Sequence, residues 1–157
     1  MLKKKYLMDS FSFWQKWLFG FGLYLIVFGL ILSFFSHTTL MDYVFNNQID
    51  PVFWGLAELP ENAEKFQAWI YGVLGAVISG WGVVISFIAY YPFKAKERWA
   101  WNCIGSGFIF WFVIDTVISI YYHAGFNVFI NITFLLFVLL PLFFTRKHFI
   151  TKNADNA

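Results

Sequence analysis

Residues 66–91 read FQAWIYGVLGAVISGWGVVISFIAYY, a run without a charged side chain. A helix needs about 20 mostly apolar residues to cross about 30 Å of hydrocarbon, so this run is long enough to span a bilayer. Pro60 lies just before it, and Glu61 and Glu64 fall in the first turn, where the helix dipole favours acidic side chains. Pro92 follows the run and disfavours helical geometry in the residue before the proline. The stretch therefore predicts a transmembrane helix with both ends marked.

Three further runs and the overall composition extend this prediction to the whole chain. The hydrophobic fraction is 60% and the charged fraction 13%, against roughly 45–50% and about 25% in soluble domains. We predict an all-α, integral membrane four-helix bundle of up-down-up-down topology, in a single domain. Its segments are a cytoplasmic N-terminal segment at 1–12, transmembrane helices at 13–35, 66–91, 99–122 and 127–144, an outer amphipathic loop with short surface helices at 36–65, a basic cytoplasmic loop at 92–98 and a cytoplasmic basic tail at 145–157.

The basic residues indicate the orientation. Ten of the 11 lysines and arginines lie on the side assigned to the cytoplasm, and Lys65 alone lies on the other. Because Lys and Arg collect on the cytoplasmic side of spans, both termini are expected in the cytoplasm, as in a multi-pass protein of the plasma (inner) membrane. The net charge of +2 is too small to indicate a nucleic-acid partner. A single cysteine, Cys103, excludes an internal disulfide and a cysteine-based zinc site.

Local signals predict two further helix ends. Asp50 before Pro51 is typical of an N-cap followed by a first helical residue. Gly125 is expected to end the third transmembrane helix as a left-handed C-cap. The turn to the fourth helix is then only a few residues long, so these two helices should be antiparallel neighbours. The outer loop is interpreted as a packed lid or as a binding surface for a partner or an amphiphilic ligand.

Asp115 is the only acidic residue well inside a predicted span. An intramembrane carboxylate costs at least about 2.5–3.5 kcal/mol and is usually paired, protonated or in contact with water. Counting 1.5 Å per residue places Asn131 of the fourth helix at the depth of Asp115. One turn outward lie further polar side chains, and two tyrosines could join them. We therefore predict a polar pocket in the outer half of the bundle, opening under the loop. Its predicted ligand-binding residues are Asp115, Asn131, Ser119, Asn127, Tyr71 and Tyr122.

Several functions are compatible with this cluster. The first hypothesis is a binding protein for a small polar, amphiphilic or cationic ligand, or an accessory subunit of a larger complex. The second is an oligomeric proton- or cation-coupled transporter that uses Asp115, and the third a membrane enzyme acting on a lipid or quinone. An enzyme would need a second titratable group near Asp115, for which His37, His123, Glu58 and Tyr122 are the candidates. The cluster could also simply lock two helices together.

Metal and cofactor signals are weak. No catalytic, metal-binding or nucleotide-binding motif is recognisable, and we predict no cofactor. His37 and His123 both lie near the outer face and are only weak metal-ligand candidates, since their spacing matches no ligand pattern.

Small residues in the second span predict a close helix contact. Gly72, Ala76 and Gly80 recur at a spacing of four, with Gly75 and Ser79 beside them. Small residues at this spacing let helix backbones approach closely in lipid. The partner is either the first span, which carries Gly22 and Gly29, or the same helix of a second copy in a homo-oligomer.

Overall fold

Four helices in this protein are long and apolar enough to cross a membrane. The computed structural model describes residues 2–55 and 59–150, with side chains from residue 10 onward. The elements are α1 (Leu2–Phe34), α2 (Thr39–Met41), a π-helical turn (Asp42–Asn46), α3 (Asn47–Phe53), α4 (Glu61–Ile88), a second π-helical turn (Ala89–Phe93), α5 (Arg98–Tyr121), α6 (Gly125–Thr145) and α7 (Lys147–Ile150). The described residues contain no strand. The prediction of an all-α four-helix bundle with short helices in the loop is confirmed. Glu58 lies outside the described residues.

The four long helices form a ring with one open side. Helix α1 packs along α4, α5 packs along α6, and α1 also contacts α6. In contrast, α4 and α5 share almost no backbone contact. The order around the bundle is therefore α4, α1, α6, α5, and we call the gap between α4 and α5 the lateral opening. The identity of the membrane and the orientation of the termini stay predictions.

Glycine residues bring α1 and α4 into backbone contact. A Cβ atom at Gly29 would overlap the carbonyl oxygen of Gly75, and a Cβ at Gly82 would lie 2.6 Å from the carbonyl oxygen of Gly22. The hydroxyl of Ser79 donates a hydrogen bond of 3.1 Å to the carbonyl oxygen of Ile26 across the same interface. Close approach of backbones is how helices associate in lipid without a hydrophobic driving force.

Of the predicted small-residue stripe, only Gly72 reaches this contact, where its carbonyl oxygen accepts a hydrogen bond of 3.0 Å from the Ser33 hydroxyl. Gly80 has no described neighbour within 4 Å of the position that its Cβ would take. Ala76 is exposed on the same face. The closest backbone approach to α1 is at Gly75 and Gly82, and self-association through Gly72, Ala76 and Gly80 stays a prediction.

We call the end of the bundle that carries the loop from α4 to α5 the basic end. There the rings of Phe11, Phe93 and Phe149 pack against one another at centroid distances of 4.8–6.0 Å. The ammonium of Lys96 lies 4.8 Å from the centroid of the Phe11 ring. Burial, together with the charges of Lys96 and Lys147, lowers the pKa of nearby His148. The three aromatic rings join α1, the end of α4 and α7.

Proline shapes α6 and its contact with α1. Pro141 has no N–H, so the carbonyl oxygen of Phe137, four residues earlier, loses its usual helical partner. The indole N–H of Trp17 donates a hydrogen bond of 3.0 Å to that carbonyl oxygen. The side chain on α1 thereby satisfies a polar atom that water cannot reach in hydrocarbon.

Two predicted helix ends are wrong. Helix α3 begins at Asn47, so Asp50 and Pro51 lie within it. Asp50 instead accepts a hydrogen bond of 2.5 Å from Gln67 and ties the loop to α4. The left-handed residue after α5 is His123 (φ 59°), whereas Gly125 is the first residue of α6.

A capping motif explains why His123, rather than Gly125, takes the left-handed conformation. The Ala124 N–H donates to the Ser119 carbonyl oxygen at 2.8 Å, and the His123 N–H donates to the Ile120 carbonyl oxygen at 3.1 Å. These two bonds form a Schellman motif, which requires its left-handed residue two positions before Gly125.

Candidate ligand-binding site

Asp115 lies at the centre of a hydrogen-bond cluster between α5 and α6. Its Oδ1 atom accepts hydrogen bonds from the Asn127 amide at 2.6 Å, the Asn131 amide at 2.8 Å and the Ser119 hydroxyl at 3.1 Å. Asn131 is almost completely buried, with 1% of its surface exposed, and Ser119 is buried as well. The antiparallel packing of two adjacent helices thus brings together residues that are up to 16 positions apart in sequence.

The amide donors of this cluster are fully used inside it. The Asn127 amide nitrogen donates both to Asp115 and to the Ser119 hydroxyl, at 2.8 Å. The Asn131 amide nitrogen donates to Asp115 and, at 3.3 Å, to the Thr116 hydroxyl. Each amide carries two N–H groups, so all four are committed.

The unused atoms of these side chains are oxygens. The second carboxylate oxygen of Asp115 and the amide oxygens of Asn127 and Asn131 accept no hydrogen bond from the described residues. Each can accept at least one. The cluster therefore presents acceptors without donors.

Asp115 has no basic partner in the part of the chain that the structure describes, where the one ion pair joins Lys65 and Glu61. The hydrogen-bond donors around its carboxylate are all neutral side chains. A negative charge in a low-dielectric site attracts a cation far more strongly than the same charge in water. The cluster is therefore suited to a positively charged group.

An apolar cavity of about 340 Å³ extends from this cluster into the centre of the bundle. Asp115, Asn127 and Asn131 form its polar end. The other walls are aliphatic and aromatic, and all four long helices contribute to them. The apolar lining consists of Leu25, Phe28, Leu32, Phe45, Leu74, Val77, Ile78, Trp81, Ile85, Gly107, Phe108, Trp111, Ile130 and Phe134. Ligand sites commonly combine such walls with a few converging polar groups, in volumes of about 300–1,000 Å³.

The lateral opening between α4 and α5 lies beside this cavity, and the Trp81 ring spans it. Trp81 of α4 and Gly107 of α5 both line the cavity and face each other across the opening. A Cβ at Gly107 would lie 3.8 Å from the Trp81 ring, so the missing side chain leaves room for the indole. Half of the Trp81 surface is exposed. In a membrane this side of the cavity faces the acyl chains.

The outer loop covers the end of the cavity. Phe45, in the first π-helical turn, packs against Phe28 of α1 at 5.9 Å and against Phe126 of α6 at 5.6 Å. Both distances join ring centroids. This packing favours the interpretation of the loop as a packed lid over its interpretation as a binding surface.

Four of the six predicted site residues come together, and two lie elsewhere. Asp115, Asn131, Ser119 and Asn127 form the cluster. Tyr71 instead packs in a separate apolar group with Leu32 and Met41, where its hydroxyl is buried without a hydrogen-bond partner among the described residues. Tyr122 also lies outside the cluster: it is exposed, and its ring packs against that of Phe53 at a centroid distance of 6.0 Å.

Three of the four predicted second titratable groups make no described contact with Asp115, and the fourth, Glu58, lies outside the described residues. His37 and His123 are exposed, and Tyr122 packs on the loop. Among the described residues no group of three or more His, Cys, Asp or Glu side chains could hold a metal ion. No described contact therefore favours the enzyme hypothesis or the two histidines as metal ligands.

Sequence reasoning missed the apolar part of the site. Phe45, Trp81 and Trp111 line the cavity, yet each resembles the many other aromatic residues of this chain. The sequence analysis also missed Thr116, although it follows Asp115 directly. Its hydroxyl accepts a hydrogen bond from the Asn131 amide.

No protein-family model matches this chain, and neither a curated protein nor a solved structure is significantly similar to it. The function is therefore argued from the cavity itself.

Proposed function

We propose that this protein binds an amphiphilic amine, with the apolar body of the ligand in the central cavity and its ammonium group at Asp115. The observation that carries the proposal is the carboxylate of Asp115 at the cavity wall. One of its oxygens is saturated by neutral donors, and the other is without a partner among the described residues.

The hydrogen-bonding pattern supports an amine over an acid. A carboxylate or phosphate ligand would place its oxygens against three acceptors and a negative charge, which is repulsive. An ammonium group offers three donors and no acceptor, and a charge-assisted bond to a carboxylate is roughly twice as strong as a neutral one. The aromatic walls add favourable faces for a cation, worth about 0.5–2 kcal/mol each.

The lateral opening supports a ligand that resides in the membrane. An amphiphile dissolved among the acyl chains would meet the gap between α4 and α5 directly, whereas Phe45 covers the loop end of the cavity. The ligand would then pass beside Trp81 and turn its amine toward Asp115.

Calorimetric titration of decylamine into protein-containing phosphatidylcholine nanodiscs tests the proposal, with empty nanodiscs as the baseline. We expect saturable binding of decylamine but not of decanoate. Asp115→Asn should weaken the affinity about tenfold or more, because it removes one charge-assisted bond of about 1.5–3 kcal/mol. Glu64→Gln is the matched control, since Glu64 is an exposed acid on the loop side with no described partner.

A second variant separates the cavity from general electrostatics. Gly107→Leu places a side chain in the opening beside Trp81 and leaves the carboxylate untouched. We expect it to abolish decylamine binding while the helical signal in circular dichroism is unchanged. Equal binding by wild type and Asp115→Asn, or by decylamine and decanoate, contradicts the proposal.

A proton-coupled carrier is the second candidate, and it is favoured by the absence of a basic partner for Asp115 among the described residues. A carboxylate that is not locked in an ion pair can exchange a proton for a cationic substrate. Proteoliposomes loaded with a pH-sensitive dye distinguish the two functions. A carrier couples amine movement to proton movement and loses both in Asp115→Asn, whereas a binding protein retains the amine without flux.

A further inference from the structure

A second groove lies between α5 and α6 at the basic end, separate from the Asp115 cavity. Its volume is about 680 Å³. Arg98, Asn102 and Ser106 line it from α5, and Phe143 and Arg146 line it from the end of α6. No residue of this groove also lines the central cavity. Because both helices are candidate spans, most of the groove would face the bilayer.

The α5 wall of the groove changes from charged to apolar along its length. Arg98, Asn102, Ser106 and Ile109 follow one another at spacings of four, four and three, so they form one stripe on the helix surface. At about 1.5 Å per residue the stripe is about 16 Å long. Its order of guanidinium, amide, hydroxyl and hydrocarbon matches the order of groups from a phospholipid head to its acyl chain.

Both arginines lack a partner within the described ranges. Neither Arg98 nor Arg146 takes part in an ion pair or a side-chain hydrogen bond there, and the Asn102 amide is also unpaired. Arg98 is the first residue of α5, where the helix dipole disfavours a cation. A bound anion would offset this unfavourable interaction between Arg98 and the helix dipole.

The groove is held open by packing beneath it. The indole N–H of Trp101 donates a hydrogen bond of 3.0 Å to the Leu142 carbonyl oxygen and fixes α5 against α6. Gly105 forms part of the floor and is buried. A Cβ there would contact the Leu142 side chain at 3.5 Å. A preformed groove loses less entropy on binding than one that must open.

We infer that this groove binds an anionic phospholipid of the leaflet at the basic end, with its phosphate between Arg98 and Arg146. The guanidinium fork matches phosphate oxygens in two parallel hydrogen bonds, which makes arginine suited to this task. The acyl chain would follow Ser106 toward Ile109 and Phe143. Basic pockets between transmembrane helices bind anionic headgroups in this way. If the predicted orientation holds, the lipid comes from the cytoplasmic leaflet.

Native mass spectrometry of the full chain, released from maltoside micelles, tests this inference with phosphatidylglycerol and phosphatidylcholine as probes. We expect phosphatidylglycerol to be retained preferentially. The double variant Arg98→Gln/Arg146→Gln should lower its affinity on the order of tenfold and leave phosphatidylcholine unaffected.

The matched control is Lys94→Gln/Lys96→Gln. It removes the same charge at the same end, but these lysines lie against the rings of Tyr90 and Phe11, outside the groove. We expect a change of less than about twofold, because charges outside the groove act through solvent. An equal loss in both double variants would mean diffuse attraction to a basic surface and would overturn the inference.

A third variant distinguishes a lipid from a free anion. Ser106→Trp fills the groove below the arginines and keeps both charges, so it should release the lipid. Unchanged retention of phosphatidylglycerol in Ser106→Trp would indicate an anion site without a place for the acyl chain. That result refutes the lipid site and leaves the amine proposal intact, since the two sites share no residue.

Discussion

Helices α1 and α4 meet through their backbones, whereas α5 and α6 meet through polar side chains. In the first pair, Gly29 and Gly75 leave no room for a Cβ, and serine hydroxyls such as Ser79 bond to carbonyl oxygens across the interface. In the second pair, Asp115 gathers amide donors from Asn127 and Asn131. Both arrangements satisfy polar groups in an environment without water.

The two interfaces differ in what they leave available. At the glycine contact the backbones are so close that no space remains for a third molecule. At the Asp115 cluster the amide donors are used within the cluster, and three oxygens beside the cavity accept no hydrogen bond from the described residues. The α1–α4 pair therefore serves as the scaffold, and the α5–α6 pair carries the chemistry that a ligand can use. The lateral opening lies where the two pairs fail to meet.

The largest expected effect comes from breaking the scaffold pair. Gly75→Ala introduces a Cβ that overlaps the Gly29 carbonyl oxygen. Backbone atoms cannot move aside as side chains do, so we expect a loss of about 2–3 kcal/mol in the free energy of unfolding. Unfolding by sodium dodecyl sulfate in mixed micelles, followed by circular dichroism, measures it.

The control for that measurement is Gly80→Ala on the same helix, because Gly80 has no neighbour within 4 Å of its would-be Cβ. It should be neutral or slightly stabilising, since alanine favours helix more than glycine does. Similar losses in both variants would mean that α4 does not pack on α1 as described.

A smaller effect is expected from removing one donor of the polar pair. Asn131→Leu conserves approximate volume but takes away the bonds to Asp115 and Thr116. Interhelical hydrogen bonds in membranes contribute about 0.6–2 kcal/mol, so we expect a loss within that range in the same unfolding assay. Decylamine binding should weaken as well, because Asp115 would lose the donor that fixes its orientation.

Thr133→Val is the matched control for Asn131→Leu. The Thr133 hydroxyl donates only to the carbonyl oxygen of Phe129 in its own helix. Its removal should change the free energy of unfolding by less than about 0.5 kcal/mol. If Asn131→Leu changes the free energy of unfolding as little as Thr133→Val does, the cluster does not hold α5 and α6 together. The contrast between the α1–α4 pair and the α5–α6 pair then fails.

The polar cluster was predictable because depth in a membrane is fixed by counting. A helix rises by a constant amount per residue, and a short turn forces α5 and α6 to be neighbours, so Asp115 and Asn131 had to share a layer. Tyr71 shows the limit of this reasoning. Depth does not specify rotation about the helix axis, and the Gly75 contact turns Tyr71 toward Leu32 and Met41.

The cavity and the groove could not be predicted in the same way. Both depend on distances between helices, which arise from the sum of many side-chain contacts rather than from any local pattern. Gly107 could indicate a position where a missing side chain leaves room for a large one. Its partner, Trp81, becomes apparent only once α4 and α5 are placed. The same holds for the choice between Gly75 and Gly72 as the residue whose Cβ position lies closest to the backbone of α1.

The turn that joins the polar pair gives the smallest effect, and its sign is opposite to the others. His123 takes a left-handed conformation (φ 59°) to complete the Schellman motif. That conformation costs an L-residue roughly 1–2 kcal/mol and costs glycine almost nothing. His123→Gly should therefore stabilise the protein by up to about 1 kcal/mol, once the greater freedom of glycine in the unfolded chain is subtracted.

The control is Gly125→Ala, two residues later. Gly125 has no described neighbour within 4 Å of its would-be Cβ, so this substitution should be nearly neutral. The prediction fails if Gly125→Ala stabilises the protein and His123→Gly destabilises it. His123 would then have a role beyond the turn, because replacing an exposed side chain that only ends α5 with glycine removes no stabilising contact.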